Sequence, residues 1–204
     1  MINNDCNSDL SELRNQTVQK LTNIEKKVSE NITKLDEHDI HIIDRVQKIS
    51  RELLEIEMTA STYLLNRLLS KYTKSNNELS LAIHKLSSHR QGALMVIEAN
   101  DPVSPLIKEG VPINAVITSQ LLESIFHPGS ALRNGAVLIV DDFIVSASNI
   151  LPLTDKIFWD RAADIRELSA IGLSEISDAL IILITDNGST YFSLEGNLFP
   201  FSVF

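Results

Sequence analysis

The side chains able to do chemistry are few and scattered. Five histidines (His38, His41, His84, His89 and His127) and one cysteine, Cys6, are the first places to look for a base, a nucleophile or a metal ligand. Only His38 and His41 stand close together, in the polar connector around Asp36-Glu-His-Asp39, where a solvated turn is the simpler reading than a zinc site. A lone cysteine closes no intrachain disulfide and cannot supply a Cys-ligated zinc. Gly-x-Gly-x-x-Gly, a phosphate loop ending in Gly-Lys-Ser/Thr, and Gly-x-Ser-x-Gly are all absent. Motif grammar alone selects no site; the polar stretches it leaves unassigned include Asn134-Gly135-Ala136, Asp164-Ile-Arg166-Glu167-Leu168 and Thr185-Asp186-Asn187-Gly188. Taken alone they read as a turn before a strand, a solvated helix face and a hairpin turn. As an Asn-Gly pair, Asn134-Gly135 is also prone to deamidation, a route to a carboxylate or its backbone-shifted isomer.

Composition narrows the classes. The 204 residues are 44% apolar and 22% charged, with 7 Gly and 6 Pro, which is globular and neither collagenous nor disordered. The apolar runs Ala136–Val140 and Ala179–Ile184 are too short to span a bilayer, and Met1-Ile-Asn-Asn-Asp is no secretory leader. The expected location is cytoplasmic. The net charge of −9 is uneven: residues 1–89 balance to −1, and residues 90–204 carry 6 basic against 14 acidic residues. Such a surface repels a nucleic-acid polymer or an anionic membrane. A small phosphorylated ligand remains compatible, provided it finds its positive partners among very few residues.

Two regions with different periods must position these clusters. Up to about His89 there is no Gly or Pro. Leu10, Leu13, Thr17, Leu21, Ile24, Val28 and Leu35 recur at helical spacing, as do Ile42, Val46, Ile49, Leu53, Ile56 and Ala60. A four-residue connector, with Asp39 as N-cap, makes these two helices antiparallel neighbours. Their apolar stripes are long for so small a unit, which points to burial on the rest of the chain or on another copy. A third helix is expected from Ser75-Asn-Asn77 to about Leu86. Beyond Arg90 come a buried strand at Ala93–Ile97, a helix at Ser119–Phe126, and a hairpin from Ala136–Val140 to Ile144–Ala147. A helix near Trp159–Leu168 follows, then a hairpin from Ala179–Thr185 to Thr190–Leu194 with a tight Asn187-Gly188 turn. The expected fold is α/β: a mixed β-sheet flanked by helices, residues 76–204, preceded by an N-terminal α-helical hairpin, residues 1–75.

The second region resembles the diadenylate cyclase domain, the family that joins two ATP molecules into cyclic di-AMP. The likeness rests on Arg90-Gln-Gly-Ala-Leu-Met-Val-Ile-Glu98, Ser119-Gln-Leu-Leu-Glu-Ser-Ile-Phe126 with Pro128-Gly-Ser130, Gly135-Ala-Val-Leu-Ile139, Leu151-Pro-Leu-Thr154 and Ala170-Ile-Gly-Leu-Ser-Glu-Ile-Ser-Asp178. The helical hairpin ahead of it resembles that of the sporulation-type bacterial members. The resemblance implies two domains face to face, each 3′-hydroxyl attacking the partner's α-phosphate, with Mg²⁺ or Mn²⁺ as cofactor. It therefore also implies a homo-oligomer.

The resemblance assigns roles residue by residue. An Asp-Gly-Ala motif would place a carboxylate beside the metal and the hydroxyl; here it reads Asn134-Gly135-Ala136, and Asn is no base and a poor ligand for a hard cation. A Gly-Thr-Arg-His-Arg motif would hold the triphosphate; here Asp164-Ile-Arg166-Glu167-Leu168 keeps one Arg and adds two acids. Thr185-Asp186-Asn187 stands for a Ser-Glu-Glu segment with one acid retained, and the adenine-contacting Leu151-Pro152-Leu153-Thr154 is intact. Two functions follow as expectations: a cyclase with degenerate motifs that is restrained by its hairpin, or a catalytically silent relative acting as an assembly partner or regulator.

Overall fold

The computed structural model describes residues 5–33, 41–156 and 163–201. The connector between the first two helices, with His38 and Asp39, lies outside them. The chain divides into two compact units between Tyr63 and Leu64. In the first unit, α1 (Asp5–Thr33) and α2 (Ile42–Leu69) meet through a Lys27–Glu52 ion pair with Nζ–O distances of 2.6 and 2.7 Å. The expected seam is only partly closed: Ile24 and Ile56 are buried, whereas Leu21, Val28, Val46 and Leu53 are exposed.

The second unit is a seven-stranded mixed sheet built around β1 (Ala93–Ile97). The other strands are β2 (Val111–Val116), β3 (Ala136–Val140), β4 (Phe143–Asn149), β5 (Leu180–Ile184), β6 (Thr190–Leu194) and β7 (Asn197–Phe201). They lie in the order β2-β4-β3-β1-β5-β6-β7. The β1–β3 pair is parallel and every other pair antiparallel. All five residues of β1 and all five of β5 are buried, so their apolar side chains alternate between two cores. Ala93, Met95 and Ile97 join one core with Leu79, Ile83 and Leu86 of α3 (Asn76–Ser88) and Leu122, Ile125 and Phe126 of α4 (Ser119–Phe126). Leu94 and Val96 join the other, with Ala170 and Leu173 of α5 (Ile165–Ser174). Leu65 and Leu69, at the end of α2, are buried in the first of these cores, which is why the compact unit begins ahead of residue 76.

The structure departs from the sequence expectations in three places. Of the helix expected near Trp159–Leu168, residues 159–162 lie outside the described residues, and α5 runs from Ile165 to Ser174, with Asp164 as its N-cap. It passes through Gly172, a residue that costs about 1 kcal/mol in a helix. No other residue fits there, because a Cβ would lie 2.5 Å from the carbonyl carbon of Leu153. Strands β2 and β7 were not foreseen: both are sheet edges carrying a proline, Pro112 and Pro200, which an outer strand tolerates. The β5–β6 connection is a longer turn closed by Gly188 N–H donating to the Thr185 carbonyl (2.9 Å), with φ +90° at Gly188. Asn187 is not in the left-handed region, so the two-residue hairpin turn does not form.

The α2–α3 connector is held by one carboxylate. Asp142, in the β3–β4 turn, accepts hydrogen bonds at Oδ1 from Thr73 Oγ1 (2.8 Å), Lys74 N (2.9 Å), Ser75 N (3.0 Å) and Ser75 Oγ (3.2 Å). These donors, Thr73 foremost, hold its pKa below 3.8. A depressed folded-state pKa contributes stability that is present above the unfolded value and lost as pH falls through the folded one. Asp142→Ala is therefore expected to lower Tm at neutral pH, and the gap to the parent protein should close as pH falls below about 4. Thermal melts from pH 7 to pH 2 check this; a gap that does not vary with pH would sink it.

Candidate functional site

The sheet register brings the chemically capable residues to one end of the second unit. Gly92 precedes β1, Arg133–Gly135 precede β3, and Ser148 and Asn149 end β4; Thr185 and Asp186 follow β5. Parallel pairing of β1 with β3, and antiparallel pairing of each with its other neighbour, puts these ends in one row. The row is anchored from below by Asn149, only 1% exposed. Its Nδ2 donates to the Ala136 carbonyl (2.8 Å), and its Oδ1 accepts from Gly110 N (2.9 Å) and Ser146 Oγ (2.8 Å). Gly135 lies against this anchor with φ +96°, and a Cβ there would stand 2.6 Å from the Asn149 carbonyl oxygen. Ala136 is fully buried and offers only its backbone, while Asn134 is exposed at the rim.

Two elements then supply charge. At the start of α5, Asp164 Oδ1 accepts from Ile165 N (2.7 Å) and Glu167 Oε2 accepts from Asp164 N (3.2 Å), a closed capping box. The N-terminus of a helix is a ready anion site; here the chain's own carboxylates occupy it. Arg166, the second residue of α5, donates from Nη1 to Asp186 Oδ1 (3.2 Å), and Arg133 donates from Nη2 to the same oxygen (3.1 Å). Gly92 leaves room for this bridge: a Cβ would lie 2.2 Å from Arg166 Nη1 and 2.3 Å from Asp186 Oδ1. Asp186 is 65% exposed at its side chain, so each pair lies at the screened, surface end of the range.

Arg133 was missed by the sequence reading. The available signal was arithmetic: it is one of only six basic residues in 90–204, and it adjoins Asn134. The remaining expected residues serve the frame. Thr185 Oγ1 donates into its own turn, to Asn187 Oδ1 and the Ser189 carbonyl. Leu151-Pro152-Leu153-Thr154 lies along α5 at Gly172, with Leu151 buried and Leu153 exposed. Thr154 N donates to the Leu168 carbonyl (3.1 Å) and its hydroxyl to Glu175 Oε1 (2.9 Å). Lys156, then Thr154, hydrogen-bonds the Glu175 carboxylate and holds its pKa below 4.5.

The donor set does not fit a divalent cation. Asn134 is a neutral amide, and Asp186, the one carboxylate in this row, already accepts from two guanidiniums at Oδ1, whose charge repels a cation. Among the described residues no group of three or more His, Cys, Asp or Glu side chains is placed to hold a metal ion.

Comparison with known proteins places this arrangement. Residues 80–197 match the family model for the DisA bacterial checkpoint controller nucleotide-binding domain, and residues 5–72 match that for the N-terminal segment of diadenylate cyclase CdaS. The chain is 42% identical over 193 residues to the diadenylate cyclase CdaS of Bacillus thuringiensis (strain BMB171), covering 94% of this chain and 96% of that one. It is 36% identical to the cyclic di-AMP synthase CdaS of Bacillus subtilis (strain 168), covering 81% and 80%. Among solved structures it resembles a protein described as a hypothetical membrane spanning protein from Bacillus cereus, with TM-score 0.78, 41% identity and coverage of 94% and 95%. It also resembles a double cysteine mutant of DacA from Staphylococcus aureus, with TM-score 0.59, 28% identity and coverage of 62% and 85%. Among the described residues of this chain, no helix is long and apolar enough to cross a membrane.

The capping box makes a quantitative expectation. Asp164→Ala removes the N-cap acceptor and should cost about 1 kcal/mol of stability. Urea denaturation checks it, and an unchanged midpoint would mean that the box contributes nothing.

Proposed function

This chain belongs to the diadenylate cyclase family and carries the N-terminal segment of its CdaS-type members, and we propose that it is a catalytically silent member acting as an assembly partner or regulator. The observation that carries this reading is the single oxygen, Asp186 Oδ1, that accepts from both Arg133 and Arg166. In the family likeness the positions of Arg166 and Asp186 face a triphosphate and its metal. Here the two cations share one carboxylate within the chain, the α5 N-terminus is capped by Asp164 and Glu167, and residue 134 has no charge. A triphosphate at this end would meet three native carboxylates, with little positive charge left to hold it.

The framework supports a role in assembly. Leu151-Pro152-Leu153, which would contact adenine by the family likeness, lies against α5, and the family reaction needs paired domains, so a surface for self-pairing is part of the inheritance. In residues 1–75, the exposed Leu21, Val28, Val46 and Leu53 offer apolar area for association with a second copy or with an active homologue. In this reading residues 1–75 are the oligomerisation and regulatory segment, residues 76–204 the nucleotide-binding fold, and the protein works in the cytoplasm. Intact Leu151–Thr154 favours a second reading, a residual cyclase that uses ATP with Mg²⁺ or Mn²⁺ and is restrained by its hairpin.

Incubation with ATP and Mn²⁺ or Mg²⁺, followed by chromatography of the nucleotides, separates the two. The full chain, and a form beginning at Leu64, should yield no cyclic di-AMP, and millimolar ATP should leave Tm unchanged. An Asn134→Asp, Leu168→Arg variant of the same chain gauges whether the framework can still be made competent. Multiple turnovers of cyclic di-AMP from the unmodified chain, or from the shortened form, would overturn the silent reading in favour of the restrained cyclase.

A further inference from the structure

The sequence holds two Asn-Gly pairs, Asn134-Gly135 and Asn187-Gly188, and the fold treats them oppositely. At the second, the amide is tied down. Asn187 Oδ1 accepts from Ser189 N (2.9 Å) and from the Thr185 hydroxyl, and Gly188 N–H donates to the Thr185 carbonyl (2.9 Å). At the first, Asn134 is exposed and lies in a bend outside any helix or strand. Its carboxamide has no hydrogen-bond partner among the described residues, and Gly135 N–H donates to no carbonyl there. Gly135 also sits at φ +96°, with no Cβ to hinder approach to its nitrogen.

We infer that Asn134 is a self-modifying position that deamidates in the folded protein, converting the amide at the rim of the site into a carboxylate. The Gly135 backbone nitrogen loses its proton and attacks Cγ of Asn134; the bond from Cγ to the side-chain nitrogen breaks, and ammonia leaves. The resulting five-membered imide is opened by water. Attack at Cγ restores the normal backbone with aspartate at 134, and attack at the backbone carbonyl gives the isoaspartyl linkage. The net change is amide plus water to carboxylate plus ammonium, with no oxidant or reductant required. Both products add a negative charge next to Arg133, whose guanidinium is already shared with Asp186. The chemistry stands on the geometry alone; that the new carboxylate alters the nucleotide behaviour of the site rests on the reading given under Proposed function.

The test uses the full chain. Freshly purified protein is assayed for cyclic di-AMP, then incubated folded in mildly alkaline buffer and sampled over time by peptide mass analysis. In parallel it is incubated in concentrated urea, and an Asn134→Gln variant, whose longer side chain disfavours the ring, is carried through both. The Asn134 peptide should exchange NH for O roughly tenfold faster than the Asn187 peptide in the folded protein, a difference of about 1.4 kcal/mol in barrier. In urea the two rates should converge, and Asn134→Gln should abolish the mass gain at 134. Equal rates in the folded chain, or no conversion at Asn134, would overturn this inference and leave the silent reading untouched. Cyclic di-AMP from the fresh, unconverted sample would overturn the silent reading alone.

Discussion

The whole second unit depends on burying β1 and β5 on both faces. Each contributes five consecutive buried residues, and alternate side chains enter different cores. At roughly 1.5–3 kcal/mol for each fully buried aliphatic side chain, these two strands alone outweigh any interaction at the rim. Register is then forced, because a slip of one residue would exchange the two cores. With register forced, Gly92, Asn134, Asn149 and Asp186 must arrive at the same end. The site is thus a by-product of core packing, and its side chains can change chemistry without putting the fold at risk.

That independence appears in how charge is used. Six basic residues serve 115 positions from Arg90 onward, against 14 acids. Arg133 and Arg166 go to Asp186, and Lys156 goes to Glu175 and the Gly196 carbonyl. The first two stand at the end of the sheet where an anionic ligand would need them. Each pair is individually weak because it is solvent-screened. Collectively they still decide the local field: two guanidiniums around one carboxylate leave about one net positive charge, and the Asp164–Glu167 box adds two negative ones at α5.

Most of the fold was legible because its central strands are short apolar runs punctuated by Gly, Pro and Asp, and its helices carry a clear 3.6-residue stripe. The edges were not. Val111-Pro-Ile-Asn-Ala-Val and Asn197-Leu-Phe-Pro-Phe lack both signals, since an edge strand exposes one face and accepts proline, and only a neighbouring strand makes them β. Helix α5 continues past Leu168 through Ala170-Ile-Gly-Leu173, where contact with Leu153 selects a glycine that helix propensity alone disfavours. The site was legible in its backbone motifs, Gly135 above all. Its electrostatics were not: Asp186 was read as a retained acid, but its two arginine partners lie 53 and 20 residues away in sequence and follow no local pattern.

Helix α5 shows why framework and chemistry can part. Its first turn has unpaired N–H groups and a positive dipole end that need an acceptor. A ligand phosphate satisfies them only when bound, whereas Asp164 and Glu167 satisfy them always. The two solutions are mutually exclusive at one helix end, and the second contributes stability to the ligand-free protein. Asp186 is likewise committed in the ligand-free protein, its Oδ1 accepting from two guanidiniums whose positive charge disfavours a further cation beside it. Asn134 stands apart: it is exposed and has no hydrogen-bond or ion-pair partner among the described residues, and Gly135 beside it lies against the Asn149 anchor. The residue at the rim of the site is therefore the one this fold leaves free to change.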